Sequence, residues 1–119
     1  MTALTDIATS TATPATFDPS VFRSVFRRHA AGVAVITAPG ARPVGFTATS
    51  LTSVSAEPPL LSFGISTGAS AWPTVSEAPF VGIHILGEHQ QELAATFARS
   101  GADRFGPPTA WSAGPHGVP

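Results

Sequence analysis

The segment Gly45-Phe46-Thr47-Ala48-Thr49-Ser50-Leu51-Thr52-Ser53-Val54-Ser55-Ala56-Glu57-Pro58-Pro59-Leu60 holds the densest set of groups that could do chemistry. Hydroxyl side chains alternate with free backbone N–H groups and end in a rigid Pro-Pro. Such a run can hydrogen-bond a phosphate, a polyol chain or the polar edge of a heteroaromatic ring. It can equally be a polar loop whose hydroxyls satisfy their own backbone. The residue types alone favour the loop, because neither a P-loop nor a dinucleotide-binding glycine fingerprint accompanies them.

Other reactive residue types are sparse. There are no cysteines, which excludes disulfides, thiolate metal sites and cysteine nucleophiles. His84 and His89 lie five apart across Gly87, with Glu88 and Glu92 nearby. That spacing does not match a zinc pattern such as H-E-x-x-H, so no metal is expected. No serine–histidine–acid set can be singled out, which argues against a hydrolase. His84 falls in a strand-like segment, where a histidine is expected to be a buried, hydrogen-bonded core residue.

Several elements must position these groups. Asp18-Pro19 is an N-cap followed by a first-turn proline. Phe22, Val25, Phe26 and His29 follow at helical spacing and Gly32 stops the helix. Val33–Thr37 is short and rich in branched residues, and Val44–Ala48 can return as the second arm of a hairpin across Pro39–Arg42. Leu60–Ile65 and Phe80–Leu86 read as further strands, with a short helix at Ser70–Glu77 between them. Glu88–Ser100 reads as a second substantial helix, with Leu93, Ala94 and Phe97 on one face. This order predicts an α+β or mainly β fold around a small sheet or barrel, not a doubly wound parallel sheet.

Residues 1–16 are almost all Thr, Ala and Ser and are expected to form a disordered tail. Residues 17–105 form the expected domain, and residues 106–119, rich in proline and glycine, an irregular tail. A chain of 119 residues suits one domain. Six arginines against seven acidic residues give a net charge of −1, which offers no footprint for nucleic acid or an anionic membrane. The apolar stretches Ala30–Ala38 and Leu60–Ile65 fall far short of the roughly 20 residues a membrane span needs. With no secretory signal pattern, a cytoplasmic location is the expectation.

The wording of the chain carries more than its composition. A helix ending in arginines and glycine, Phe22–Gly32, leads into Val33-Ala34-Val35-Ile36-Thr37, then into the Gly45–Leu60 stretch. Leu61-Ser62-Phe63-Gly64-Ile65-Ser66, Ser70-Ala71-Trp72-Pro73, Phe80–Leu86 with Glu88, His89 and Gln90, and finally Arg104-Phe105 follow in order. This series resembles the FMN-binding split-barrel flavin reductases from about Phe17 to Phe105. The resemblance implies a split β-barrel with flanking helices and an NAD(P)H-dependent flavin reductase. FMN or FAD would be the cofactor and NADH or NADPH the co-substrate. It also implies a homodimer that supplies reduced flavin by diffusion to a separate monooxygenase.

By the same resemblance, Thr47, Ala48, Thr49 and Ser50 would line the flavin ring and ribityl chain, with Thr52 and Ser53 close by. Ser62, Phe63 and Gly64 would form the facing wall, and Ser66 and Ser70 would lie near the phosphate. His84, where many members have asparagine, and Phe105 would sit at the cofactor's edge. Ala71 stands where the family often has another hydroxyl, so one phosphate contact is absent. Family members continue past the Arg-Phe position with further strands and a Gly-Asp-His segment tied to nicotinamide binding. His116 lacks that context, and the last barrel strands are therefore expected to be missing. The second reading that follows is a non-catalytic flavin-binding fragment.

Overall fold

The computed structural model describes residues 18–28 and 32–119. The expected tail at residues 1–16 and His29 lie outside the described residues. The first helix, α1, runs Pro19–Arg28. Asp18 caps it by accepting hydrogen bonds from the Ser20 backbone N–H and the Ser20 hydroxyl, each at 2.8 Å. These bonds hold the Asp18 carboxyl below the usual aspartate range, the backbone N–H contributing most.

Five strands follow in two antiparallel sheets. β1 (Ala34–Ala38) is the middle strand of a three-stranded sheet, between β2 (Val44–Ala48) and β5 (Gly82–Ile85). β3 (Thr52–Ala56) and β4 (Pro59–Ser62) form a separate hairpin with a register shift between Ser53 and Ser55. Helix α2 (Trp72–Glu77) precedes β5, and helix α3 (Gln91–Ala98) follows it after a single 3-10 turn at Glu88–Gln90. A second 3-10 turn, Pro115–Gly117, lies near the C-terminal end. The antiparallel α+β class agrees with the sequence. No helix among the described residues is long and apolar enough to cross a membrane.

The position of β1 explains its composition. All five of its residues are buried, which a strand achieves only when both faces are covered. Residues paired across a ladder share a face, so Val35, Thr47 and His84 form one row and Thr37, Gly45 and Gly82 the next. Against that face lie α3 and the last residues of the chain. The opposite face carries Ala34 and Ile36, packed with Ala48 and Leu51 and bordered by Phe46, Leu61, Phe63, Val81 and Ile83. The hairpin thus closes one side of the core and α3 the other.

Three expectations need correction. The hydroxyl-rich stretch is not loop throughout, because Thr52–Ala56 is a strand. Its outward Thr and Ser side chains leave the backbone free to pair with β4. The strands expected at Leu60–Ile65 and Phe80–Leu86 are shorter, at Pro59–Ser62 and Gly82–Ile85. Pairing with β1 supports only Gly82–Ile85. His84 is exposed rather than buried, since β5 is an edge strand of its sheet.

Candidate functional site

The turn from β2 and the first residues of β3 carry Thr49, Ser50, Thr52 and Ser53, all exposed. Besides the β3–β4 ladder, a side-chain bond ties the turn to the residues just after β4: the Gly64 backbone N–H donates to Ser50 Oγ at 2.8 Å. The Ser50 hydroxyl therefore accepts from the protein and retains its own proton for a ligand. Thr52 Oγ1 donates to the Ser50 carbonyl at 3.2 Å, which fixes the turn from within. The result is a short ledge of hydroxyls and amides beside Phe63 and Gly64, both half-buried.

Other residues of the expected set act differently. Thr47 Oγ1 donates to the Ala94 carbonyl of α3 at 2.6 Å, so its hydroxyl anchors a helix. The Ala48 side chain is 4% exposed and belongs to the core. The Ala48 side chain is thus out of reach of a ligand, and the Thr47 hydroxyl has already committed its proton. Ser62 is buried at the end of β4. Ser66 Oγ accepts from the Gly68 N–H at 3.1 Å and stabilises its own turn. His84 Nε2 lies 3.0 Å from Thr37 Oγ1, which also donates to the Pro119 carbonyl at 2.9 Å. This places His84 on the sheet face shared with α3, opposite to Phe63 and the hairpin.

Ser70 and Phe105 do meet. They line one open cleft of about 160 Å³ together with Pro43, Val44, Gly45, Ala71, Ala102, Asp103 and Arg104. Ser70 precedes α2 without capping it, since the N-cap is Ala71 and no side chain caps the helix. The far wall is braced by aromatic rings. Phe105 meets Phe97 edge-on at 5.3 Å and Trp111 at 5.1 Å, and the Trp111 indole N–H donates to the Phe105 carbonyl at 2.9 Å. Gly45 permits this arrangement, because a Cβ there would fall 2.7 Å from the Phe97 ring.

Sequence reasoning did not single out Arg104 or Asp103 as a wall of this cleft. Their distance in sequence from Ser70 gives no local signal of it. Nor did it anticipate Thr37, whose single hydroxyl joins β1, β5 and the C-terminal segment. The chemistry of the ledge is neutral donation and acceptance. Its nearest acid in sequence, Glu57, pairs with Arg23 at 3.6 Å.

The sequence profile of the flavin reductase like domain family matches residues 26–119. An NADH:FMN oxidoreductase of Rhodococcus erythropolis is 51% identical over 92 residues, covering 76% of this chain and 48% of that protein. The stachydrine N-demethylase reductase subunit Stc3 of Rhizobium meliloti is 43% identical over 105 residues, covering 87% of this chain and 45% of its own length. The NADH:FAD oxidoreductase SgcE6 of Streptomyces globisporus C-1027, solved with NAD and FAD fragments, superposes with a TM-score of 0.70 at 33% identity. That superposition covers 86% of this chain and 62% of the other. The chain thus spans about half the length of the first two relatives.

Proposed function

Because this chain belongs to the flavin reductase like domain family, we propose that it binds FMN, or FAD, as part of an NAD(P)H-dependent flavin reductase. The observation that carries this reading is the Ser50–Gly64 bond. It joins two segments far apart in sequence into one ledge of donors, with Thr49, Thr52 and Ser53 exposed along it. The N5–O4–N3 edge of an oxidised flavin ring offers acceptors at N5 and O4 and an N–H donor at N3. A ledge of amides and hydroxyls without a carboxylate suits that edge, so the donor set fits the group.

The bound flavin would supply the chemistry of a two-electron carrier, taking hydride from a reduced nicotinamide. The residues of this chain would bind and orient it. Ser50 would donate its remaining proton toward the ring, and main-chain amides of Ala48 to Ser50 would complete the polar edge. Thr47 would hold the start of the ledge against α3 through its bond to Ala94. Phe63, packed against Phe46 at 6.0 Å, would give the apolar wall. Hydride transfer requires orientation more than acid–base groups, so the scarcity of titratable residues at the ledge is compatible with it.

The same reading includes a homodimer in a reducing cytoplasm, in keeping with a sequence free of cysteine. Reduced flavin would pass by diffusion to a separate monooxygenase. The similarity to a protein named as a reductase subunit supports a division of labour of this kind.

The test is a titration of the 119-residue chain with FMN, followed by NADH and NADPH. Quenching of flavin fluorescence and catalytic bleaching of oxidised flavin are the expected outcome. Binding without bleaching would assign the chain a flavin-holding role and locate nicotinamide binding outside it. A folded sample that leaves FMN fluorescence unchanged would overturn the reading.

A further inference from the structure

We propose that Thr47 is a positioning residue for the flavin: it fixes the ledge to α3, acts through Ser50 and does not touch the ring. The inference rests on the flavin-binding reading for its ligand, while the positioning itself has a readout that needs no ligand. Alternate residues of a strand share a face, so Gly45 and Thr47 of β2 face α3 together. The Phe97 ring packs where a Gly45 side chain would stand, and three residues earlier the Ala94 carbonyl accepts the Thr47 hydroxyl at 2.6 Å. Positions three apart lie on one helix face, so α3 is seated on β2 at two points, one apolar and one polar. Apolar contact is non-directional and tolerates sliding along the strand, whereas the hydrogen bond sets the register.

This seat leads directly into the ledge. Ala48, the next residue, turns its side chain into the core on the opposite face, and Leu51 returns to the same core. Thr49 and Ser50 are exposed between those two anchors. The Ser50 hydroxyl meets the Gly64 N–H at 2.8 Å, a bond that weakens steeply with misalignment. Its aim depends on where the end of β2 stands, and the Thr47 bond to α3 fixes that end.

The same geometry separates the Thr47 hydroxyl from the ring. Thr47 shares its face of the sheet with Val35 and His84. Phe63, the apolar wall of the ledge, borders the other face together with Ala34 and Ile36. A ring laid against Phe63 lies across the sheet from Thr47 Oγ1, whose proton is already given to Ala94. Loss of this hydroxyl therefore reaches the flavin as a displaced Ser50.

The experiment compares the wild-type chain with Thr47→Val, Thr47→Ser, Ser50→Ala and the T47V/S50A double variant. Without ligand, amide hydrogen exchange at Gly64 is measured against that at Ile36 in the middle of β1. T47V should speed exchange at Gly64 relative to Ile36, and T47S, which keeps the hydroxyl, should restore the wild-type ratio. FMN affinity should fall about 3- to 10-fold in T47V, the range for one neutral hydrogen bond, and recover in T47S. The double variant should bind FMN no more weakly than S50A, because both substitutions act through the same contact. Equal acceleration at Gly64 and Ile36 would mark a purely structural role and overturn the proposal. Weaker FMN binding with unchanged Gly64 exchange, or losses that add in the double variant, would show direct contact with the ring and overturn it as well. So would wild-type behaviour of T47V in both measurements. Should T47V fail to fold, Thr47→Ala is judged by the same Gly64-to-Ile36 ratio. If the wild-type chain binds no FMN, the flavin reading falls separately, and the exchange ratio alone decides whether Thr47 positions the ledge.

Discussion

Ser50 and Gly64 are fourteen residues apart and joined by a 2.8 Å bond in which the serine hydroxyl oxygen accepts the glycine N–H. This bond adds a side-chain tie to the β3–β4 ladder, in which Thr52 pairs with Ser62 and Ser53 with Leu61. Ser50→Ala leaves the Gly64 N–H to water. The expected loss of stability is about 0.5–1.5 kcal/mol, read by urea denaturation. FMN affinity should fall in the same variant, because the ledge loses both a donor and its brace. Wild-type stability and wild-type FMN affinity in S50A would remove this bond from both roles.

Gly45→Ala addresses the packing beneath the cleft. The added methyl would meet Phe97 Cε2 at 2.7 Å and the Ile36 carbonyl at 3.2 Å. Phe97 is 3% exposed and cannot swing aside. The expected cost is about 1–3 kcal/mol, typical of overpacking. Phe97→Leu in the same chain should recover part of it, giving a non-zero coupling in a double-mutant cycle. Additive losses would show that the two side chains do not compete for the same space.

Acid titration of stability should carry a signature of Asp18. Its carboxyl is held below the usual aspartate value by the two Ser20 bonds. A lowered folded-state value means the stabilisation is fully present above the unfolded value, about 3.9, and is lost as pH falls through the lower folded one. Asp18→Asn keeps a capping oxygen and removes the titration. Its stability should therefore decline less steeply below about pH 4 than that of wild type. Parallel acid branches for the two proteins would show that this cap does not titrate with folding.

Much of this architecture is legible in residue patterns, and the exceptions have physical causes. Val33–Thr37 and Val44–Ala48 announce a hairpin because branched residues flank a proline–glycine turn, and the ladder of β1 with β2 follows that register. Asp18-Pro19 announces a helix start because capping is local. β3 is hidden because Thr52, Ser53 and Ser55 are polar and exposed or half-exposed, so no apolar alternation marks them. Its pairing with Pro59–Ser62 creates the strand, and pairing is a tertiary property. The role of Thr47 is hidden for a related reason. A threonine in a hydroxyl-rich run looks like a ligand contact until α3 folds back and places the Ala94 carbonyl within 2.6 Å. Ser70 and Arg104 share a cleft only once the chain between them has crossed the sheet and returned.

The Thr37 hydroxyl has a single proton, and it is directed to the Pro119 carbonyl. Its contact with His84 Nε2 must then be the reverse kind, with the imidazole donating. The neutral histidine is thereby fixed as the Nε2–H tautomer. The seam from β5 through β1 to the C-terminal segment thus runs one way, each proton pointing from the edge strand toward Pro119.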